Sequence, residues 1–124
     1  MSNRSLILFA HGARDPRWAA PFVRLQALLR AQQPELAVEL AFLELMTPQL
    51  PELVGRLVAD ACESATVEPV FFGQGGHVLR DLPLLVERLR VEHPGLELRV
   101  AGAVGEDALV LDAIAAYCVR SLAG

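Results

Sequence analysis

The sequence predicts an α/β fold, a single lobe built on a doubly wound, mostly parallel sheet of four strands. Two observations predict it. Four short apolar runs of strand length alternate with four longer stretches whose apolar residues recur at helical spacing. The chain has 124 residues, 53% of them hydrophobic, and no linker of domain-boundary length divides it. One domain over residues 1–124 is therefore expected.

Each element has a local reason. The first strand is read over residues 6–10 and stops at HGARDP. There Asp15-Pro16 supplies a capping oxygen and a proline at the first helical position. A helix should follow over 16–32, with Trp18, Phe22, Leu25, Leu28 and Leu29 as its buried stripe. The second strand is read over 37–43. Thr47-Pro48 then repeats the start signal for a helix over 48–64. The third strand, 66–72, contains Pro69, which a central strand resists. The expectation is that this strand effectively begins at the proline. Asp81 reads as the cap of a third helix over 82–92, with a stripe of Leu82, Leu85, Val86 and Leu89, and EHPG stops it. His93 ends that helix and reads as structural. A fourth strand over 97–101 and a helix over 106–122 complete the chain. Right-handed crossovers leave few strand orders, and the simplest is the flavodoxin-like 2-1-3-4.

Composition narrows the function. A net charge of -4 argues against a nucleic-acid partner, which calls for a basic face. No N-terminal signal is visible, and the run at 6–10 is too short to span a membrane. A cytoplasmic protein without a membrane partner is expected. Cys62 and Cys118 lack CxxC spacing and read as small buried thiols.

Ligands of open α/β sheets bind beyond the carboxyl ends of the strands. His11 follows the first strand, Glu44 the second, and His77 the third, past GQGGH. Two imidazoles and a carboxylate suit a divalent metal, and they also take protons near neutral pH. Taken singly, His11 reads equally as a hydrogen-bonded loop residue and Glu44 as a solvated residue before a helix. It is their joint placement that points to a site. GQGGH lacks the Lys-Ser/Thr ending of a P-loop. Gly75 and Gly76 would let the backbone approach a large flat ligand, or simply close a tight turn. Arg14, Arg17 and Arg80 lie close to the two histidines and could meet carboxylates. Each also reads as a surface charge.

The stretches LFAHGARDPRW, AFLELMTP and PVFFGQGGHVLRDLP resemble the short CbiX-type sirohydrochlorin cobaltochelatases and their ferrochelatase relatives. So does the tail AGAVGEDALVLDAI. Ala13 departs from the Ser often found in that family. The resemblance implies insertion of Co2+, with Fe2+ or Ni2+ as alternatives, into sirohydrochlorin, an anionic tetrapyrrole bearing many carboxylates. On that match His11 and His77 are metal ligands, and Glu44 binds metal or accepts pyrrole protons. The metal is a substrate, and no tightly bound cofactor is expected. Longer members resemble two such lobes in one chain, so a homodimer is expected here. Rival readings are a non-catalytic metal or tetrapyrrole carrier, a histidine phosphatase and an FMN-binding flavodoxin. Ala10 stands where the phosphatase motif has Arg, and the loop after the first strand is not Ser/Thr-rich.

Overall fold

The computed structural model describes residues 3–73 and 75–123, with the backbone alone at Gly76, His77 and Leu79. Four strands form one parallel sheet: β1 (Arg4–Ala10), β2 (Ala37–Phe42), β3 (Ser64–Pro69) and β4 (Glu97–Val100). Their order is β2-β1-β3-β4, as expected. The helices are α1 (Ala20–Gln32), α2 (Leu50–Ala59), α3 (Gly76–Glu92) and α4 (Ala108–Ser121). No described helix is long and apolar enough to cross a membrane.

The two faces of the sheet are covered unequally. Ile7 and Phe9 of β1, Ala65 and Val67 of β3 and Leu98 of β4 join one buried cluster. Leu50, Leu53, Val54 and Leu57 of α2 complete it with Val78, Leu82, Val86 and Leu89 of α3. Burying such side chains contributes about 1.5–3 kcal/mol each against the entropy of ordering them. On the opposite face α1 lies along β2. Its Gln26 Nε2 and an Arg30 guanidinium nitrogen donate to the Val38 carbonyl at 2.7 and 2.8 Å.

Several boundaries differ from the sequence reading. Asp15 does cap, accepting from Arg17 N–H at 2.9 Å, but it opens a 3-10 turn, Pro16–Ala19, before α1. Trp18, Phe22, Leu25 and Leu29 are half-buried, whereas Leu28 is exposed to solvent. Thr47 caps nothing. Phe42 N–H donates to the Pro48 carbonyl, and Gln49 bridges Phe42 in extended conformation, so α2 starts only at Leu50. It ends at Ala59, where Ala61 turns left-handed with φ 62°.

Pro69 ends β3 instead of beginning it. Val70 N–H still donates to Phe9 on the β1 side, and Ala101 N–H donates to Val67 on the β4 side. By strand alternation the missing Pro69 N–H faces β4, beyond its last paired residue, Val100. The apolar run 70–72 is therefore loop. Asp81 lies inside α3, not at its cap, and Pro83 sits in the helix interior. The apolar stripe begins a turn earlier than Leu82, at buried Val78. That burial outweighs the hydrogen bond and the fit lost at Pro83. His93 is the C-cap of α3, its N–H donating to Leu89. Cys62 is half-buried as a free thiol, but Cys118 is exposed on α4.

Candidate functional site

The carboxyl ends of β1, β2 and β3 form one rim, and the backbone locks two of its loops together. Leu43 N–H donates to Ala10 at 2.8 Å, and Glu44 N–H donates to His11 at 3.1 Å. Gly12 permits this approach. Its φ is +94°, and a Cβ built there would collide with the Glu44 carbonyl. His11 and Glu44 are thus neighbours through main-chain contacts, although they stand 33 residues apart (44 − 11) in the chain.

The imidazole of His11 is half-buried against Phe71, with ring centroids 4.5 Å apart. Phe71 also meets Phe9 edge-on at 6.3 Å. The loop after β3 therefore props the histidine, which limits its rotamers. Glu44 has an exposed side chain, and the next residue, Leu45, adopts φ 66°. Gly75 is the N-cap of α3 in extended conformation, and Gly76 and His77 open the helix. Free N–H groups of that first turn place the positive end of α3 at the rim. The His77 side chain lies outside the described residues. Among the described residues no three His, Cys, Asp or Glu groups cluster as a metal site.

The arginines divide. Arg17 is committed to Asp15 through a contact of 2.7 Å and two of 3.1 Å, which hold the Asp15 carboxyl below its usual range. Arg14 and Arg80 are exposed, Arg80 standing 3.6 Å from Asp81 on its own helix.

Two features beside the rim escaped the sequence reading. Gly105 presses on the loop after β3: its N–H donates to Phe71 at 3.0 Å, and a Cβ there would strike the Phe72 backbone. A glycine in VGED carries no signal of that contact. The other is Glu68, on β3. Desolvation, reinforced by the Asp107 charge, pushes its carboxyl up to about 7. Its Oε2 is buried without a hydrogen-bond partner among the described residues. Strand alternation alone would place Glu68 on a sheet face, but nothing local marks that face as dry.

The doubly wound sheet thus brings an imidazole, a carboxylate loop and a helix N-terminus to its carboxyl edge, the edge at which open α/β sheets generally bind ligands. A family model described as CbiX matches residues 5–120. The chain belongs to the CbiX family. It is similar to the sirohydrochlorin cobaltochelatase of Sulfolobus acidocaldarius, 25% identical over 94% of this chain and 91% of that one. The protein of the same name from Saccharolobus solfataricus is 28% identical over 82% and 83%. The chain spans 62% of the sirohydrochlorin cobaltochelatase of Methanococcus aeolicus, at 24% identity over 71% of its own length. Among solved structures, a CbiX protein of Marinobacter aquaeolei VT8, named for cobalamin biosynthesis, superposes with a TM-score of 0.83. It is 33% identical, and the match covers 96% of this chain and 97% of that one. The sirohydrochlorin chelatase SirB of Bacillus subtilis, solved with cobalt, shares the fold at a TM-score of 0.73 and 20% identity. The match covers 86% of this chain and 45% of SirB.

Proposed function

We propose that this protein inserts a divalent metal ion, cobalt in preference to iron or nickel, into sirohydrochlorin. The observation that carries the proposal is the Gly12 contact, which seats the His11 and Glu44 loops side by side at the ligand-binding edge of a CbiX-family chain. Insertion exchanges two pyrrole N–H protons for one M2+. The site must hold the metal loosely enough to release it and must accept those protons. In this reading His11 and His77 ligate the incoming metal as neutral imidazoles, and Glu44 ligates it or takes a proton. Arg14 and Arg80 meet the substrate's carboxylates, and Gly75 and Gly76 let the backbone approach the macrocycle. The helix N-terminus at Gly75 adds favourable potential for an anion. No tightly bound cofactor takes part.

The preference for cobalt rests on the names of the matched relatives. Intrinsic affinities of an imidazole–carboxylate set do not select one metal. The reaction is assigned to the cytoplasm, where the thiols Cys62 and Cys118 stay reduced. A second copy of the chain supplies the lobe that a SirB-length chain carries within itself.

The test is anaerobic insertion of Co2+ or Fe2+, followed by the visible spectrum of the tetrapyrrole. Wild type should turn over repeatedly, and His11→Ala and His77→Ala should each lose at least a hundredfold in kcat/KM. Stoichiometric binding without turnover would replace the enzyme by a carrier. Relative kcat/KM ranks the metals.

A further inference from the structure

We propose that the carboxyl of Glu68 is a proton-operated latch on the segment 101–107, and that this segment passes the state of the latch to the rim loop beside His11. The effect on turnover rests on the chelatase reading above; the latch itself does not.

The first observation is the setting of Glu68. It lines a cavity of about 540 Å3 with Ala101, Gly102, Val104, Glu106 and Asp107, and from α4 only the apolar Val110 reaches in. Its Oε2 is buried there, and no donor among the described residues meets it. An ionised carboxylate so placed gives up water without compensation. Strand register sets Leu8 of β1 beside Glu68. On the same sheet face, Arg99 of β4 lies one row down beside Thr66, and Arg4 of β1 and Glu97 of β4 lie two rows down beside Ser64. Burial, and then the like charge of Asp107, push the Glu68 carboxyl up to about 7.

The second observation is the engagement of Asp107. Its Oδ1 accepts from Leu109 and Val110 N–H at 2.9 and 3.1 Å and caps α4. Asp107 cannot turn away from Glu68 without dropping that cap. With a proton on Glu68, the two carboxyls share the cavity without charge repulsion, and the segment stays seated. Once the proton leaves, two like charges face each other in a poorly hydrated space. Relief comes from an outward shift of the segment that admits water. Its beginning is fixed, because Ala101 N–H donates to Val67 at 2.9 Å and Ala103 is buried. The part free to shift is the 3-10 turn Val104–Glu106 with Asp107.

The third observation joins that turn to the rim. Gly105 N–H donates to Phe71 at 3.0 Å, and the Gly105 backbone presses on Phe72. The Phe71 ring lies 4.5 Å from His11. An outward shift of the turn withdraws the support of Phe71 and gives His11 more rotamers. Glu68 is thus a positioning residue, acting on the rim through the segment 101–107.

NMR titration of the full chain, with carboxyl carbons and amides labelled, tests the proposal. The Glu68 carboxyl should titrate near pH 7. The amides of Phe71, Gly105, Leu109 and Val110 should shift with the same midpoint, a result that needs no variant to fold. In Glu68→Gln, which keeps a neutral polar group, those shifts should vanish. Shifts that persist there would have His11 or another group as their source, and the latch would be wrong. A Glu68 carboxyl that titrates near its ordinary 4.5 overturns it equally. Asp107→Asn should lower the Glu68 midpoint, and an unchanged midpoint removes Asp107 from the latch. Turnover is scored separately. At saturating sirohydrochlorin the ratio of Glu68→Gln to wild-type kcat should rise at least threefold from pH 6 to pH 8, while the ratio of KM values stays flat. A flat kcat ratio overturns the link to the rim. If neither protein inserts metal but the carboxyl and amides titrate together, the chelatase reading fails and the latch stands.

Discussion

Gly12 has no room for a side chain, and its φ of +94° suits no L-residue. Gly12→Ala should cost about 2 kcal/mol, from backbone strain and from displacing the Glu44 carbonyl. It should also slow metal insertion more than that loss explains, because the His11 and Glu44 loops separate. Urea denaturation and the insertion assay, read together, check this, and an unchanged midpoint would show that the contact is easily relieved. Glu68 makes the opposite kind of prediction. The folded chain keeps a proton on Glu68 up to about pH 7, while the unfolded chain releases it near 4.5. Stability should therefore fall as pH rises from about 4.5 to 7 and lie flat above that. Because the group is partly exposed, solvent screening discounts the effect to about 1 kcal/mol. Glu68→Gln should flatten that slope and raise Tm at pH 8 by a few degrees. If the slope survives the substitution, Glu68 is not its source. Both histidines and Glu44 were legible as candidates from their places after apolar runs. Gly12 stands in HGARDP with no local mark of its role, since only the folded chain brings the Glu44 carbonyl against it.

At the scale of the element, α4 depends on its first turn. Asp107 accepts from Leu109 and Val110 N–H at 2.9 and 3.1 Å. Asp107→Ala should cost about 1 kcal/mol through the lost cap. Asp107→Asn should keep most of the cap and, by removing a charge near Glu68, move that carboxyl back toward its ordinary range. Thermal melts of both variants at pH 5 and pH 8 separate the two effects. If Asp107→Asn is as damaging as Asp107→Ala at both pH values, the cap account fails. Helix starts were read unevenly. Asp15 was legible because its side chain acts on a backbone N–H two residues away, which is a local matter. Asp81 looks like a cap because it directly precedes the stripe Leu82, Leu85, Val86 and Leu89, yet it lies inside α3. The burial of Val78 beneath the sheet carries the helix back through the proline, and burial is not local. The end of β3 was misread for the same reason. Phe71 and Phe72 look like strand, but β4 has already stopped, and Gly105 holds their backbone in a loop.

For the whole molecule, the proposed function predicts that two copies are needed for turnover. If so, catalytic efficiency should depend on protein concentration, falling below the dimer Kd. Constant specific activity across a hundredfold dilution that spans that Kd would show that each copy acts alone. The sheet order 2-1-3-4 followed from alternating apolar runs and crossover handedness, which are rules of period and chirality that a sequence carries on its face. Fold class, strand order and the positions of His11 and Glu44 just past strand ends were all legible in the linear pattern, whereas His77, expected at a strand end, lies in the first turn of α3. Folding alone brings the Glu44 loop against Gly12, sets Phe71 against His11, desolvates Glu68 and leaves α4 bare. Each of these depends on which distant segments come within a few ångströms and on which surfaces remain wet, and neither is written in local periodicity.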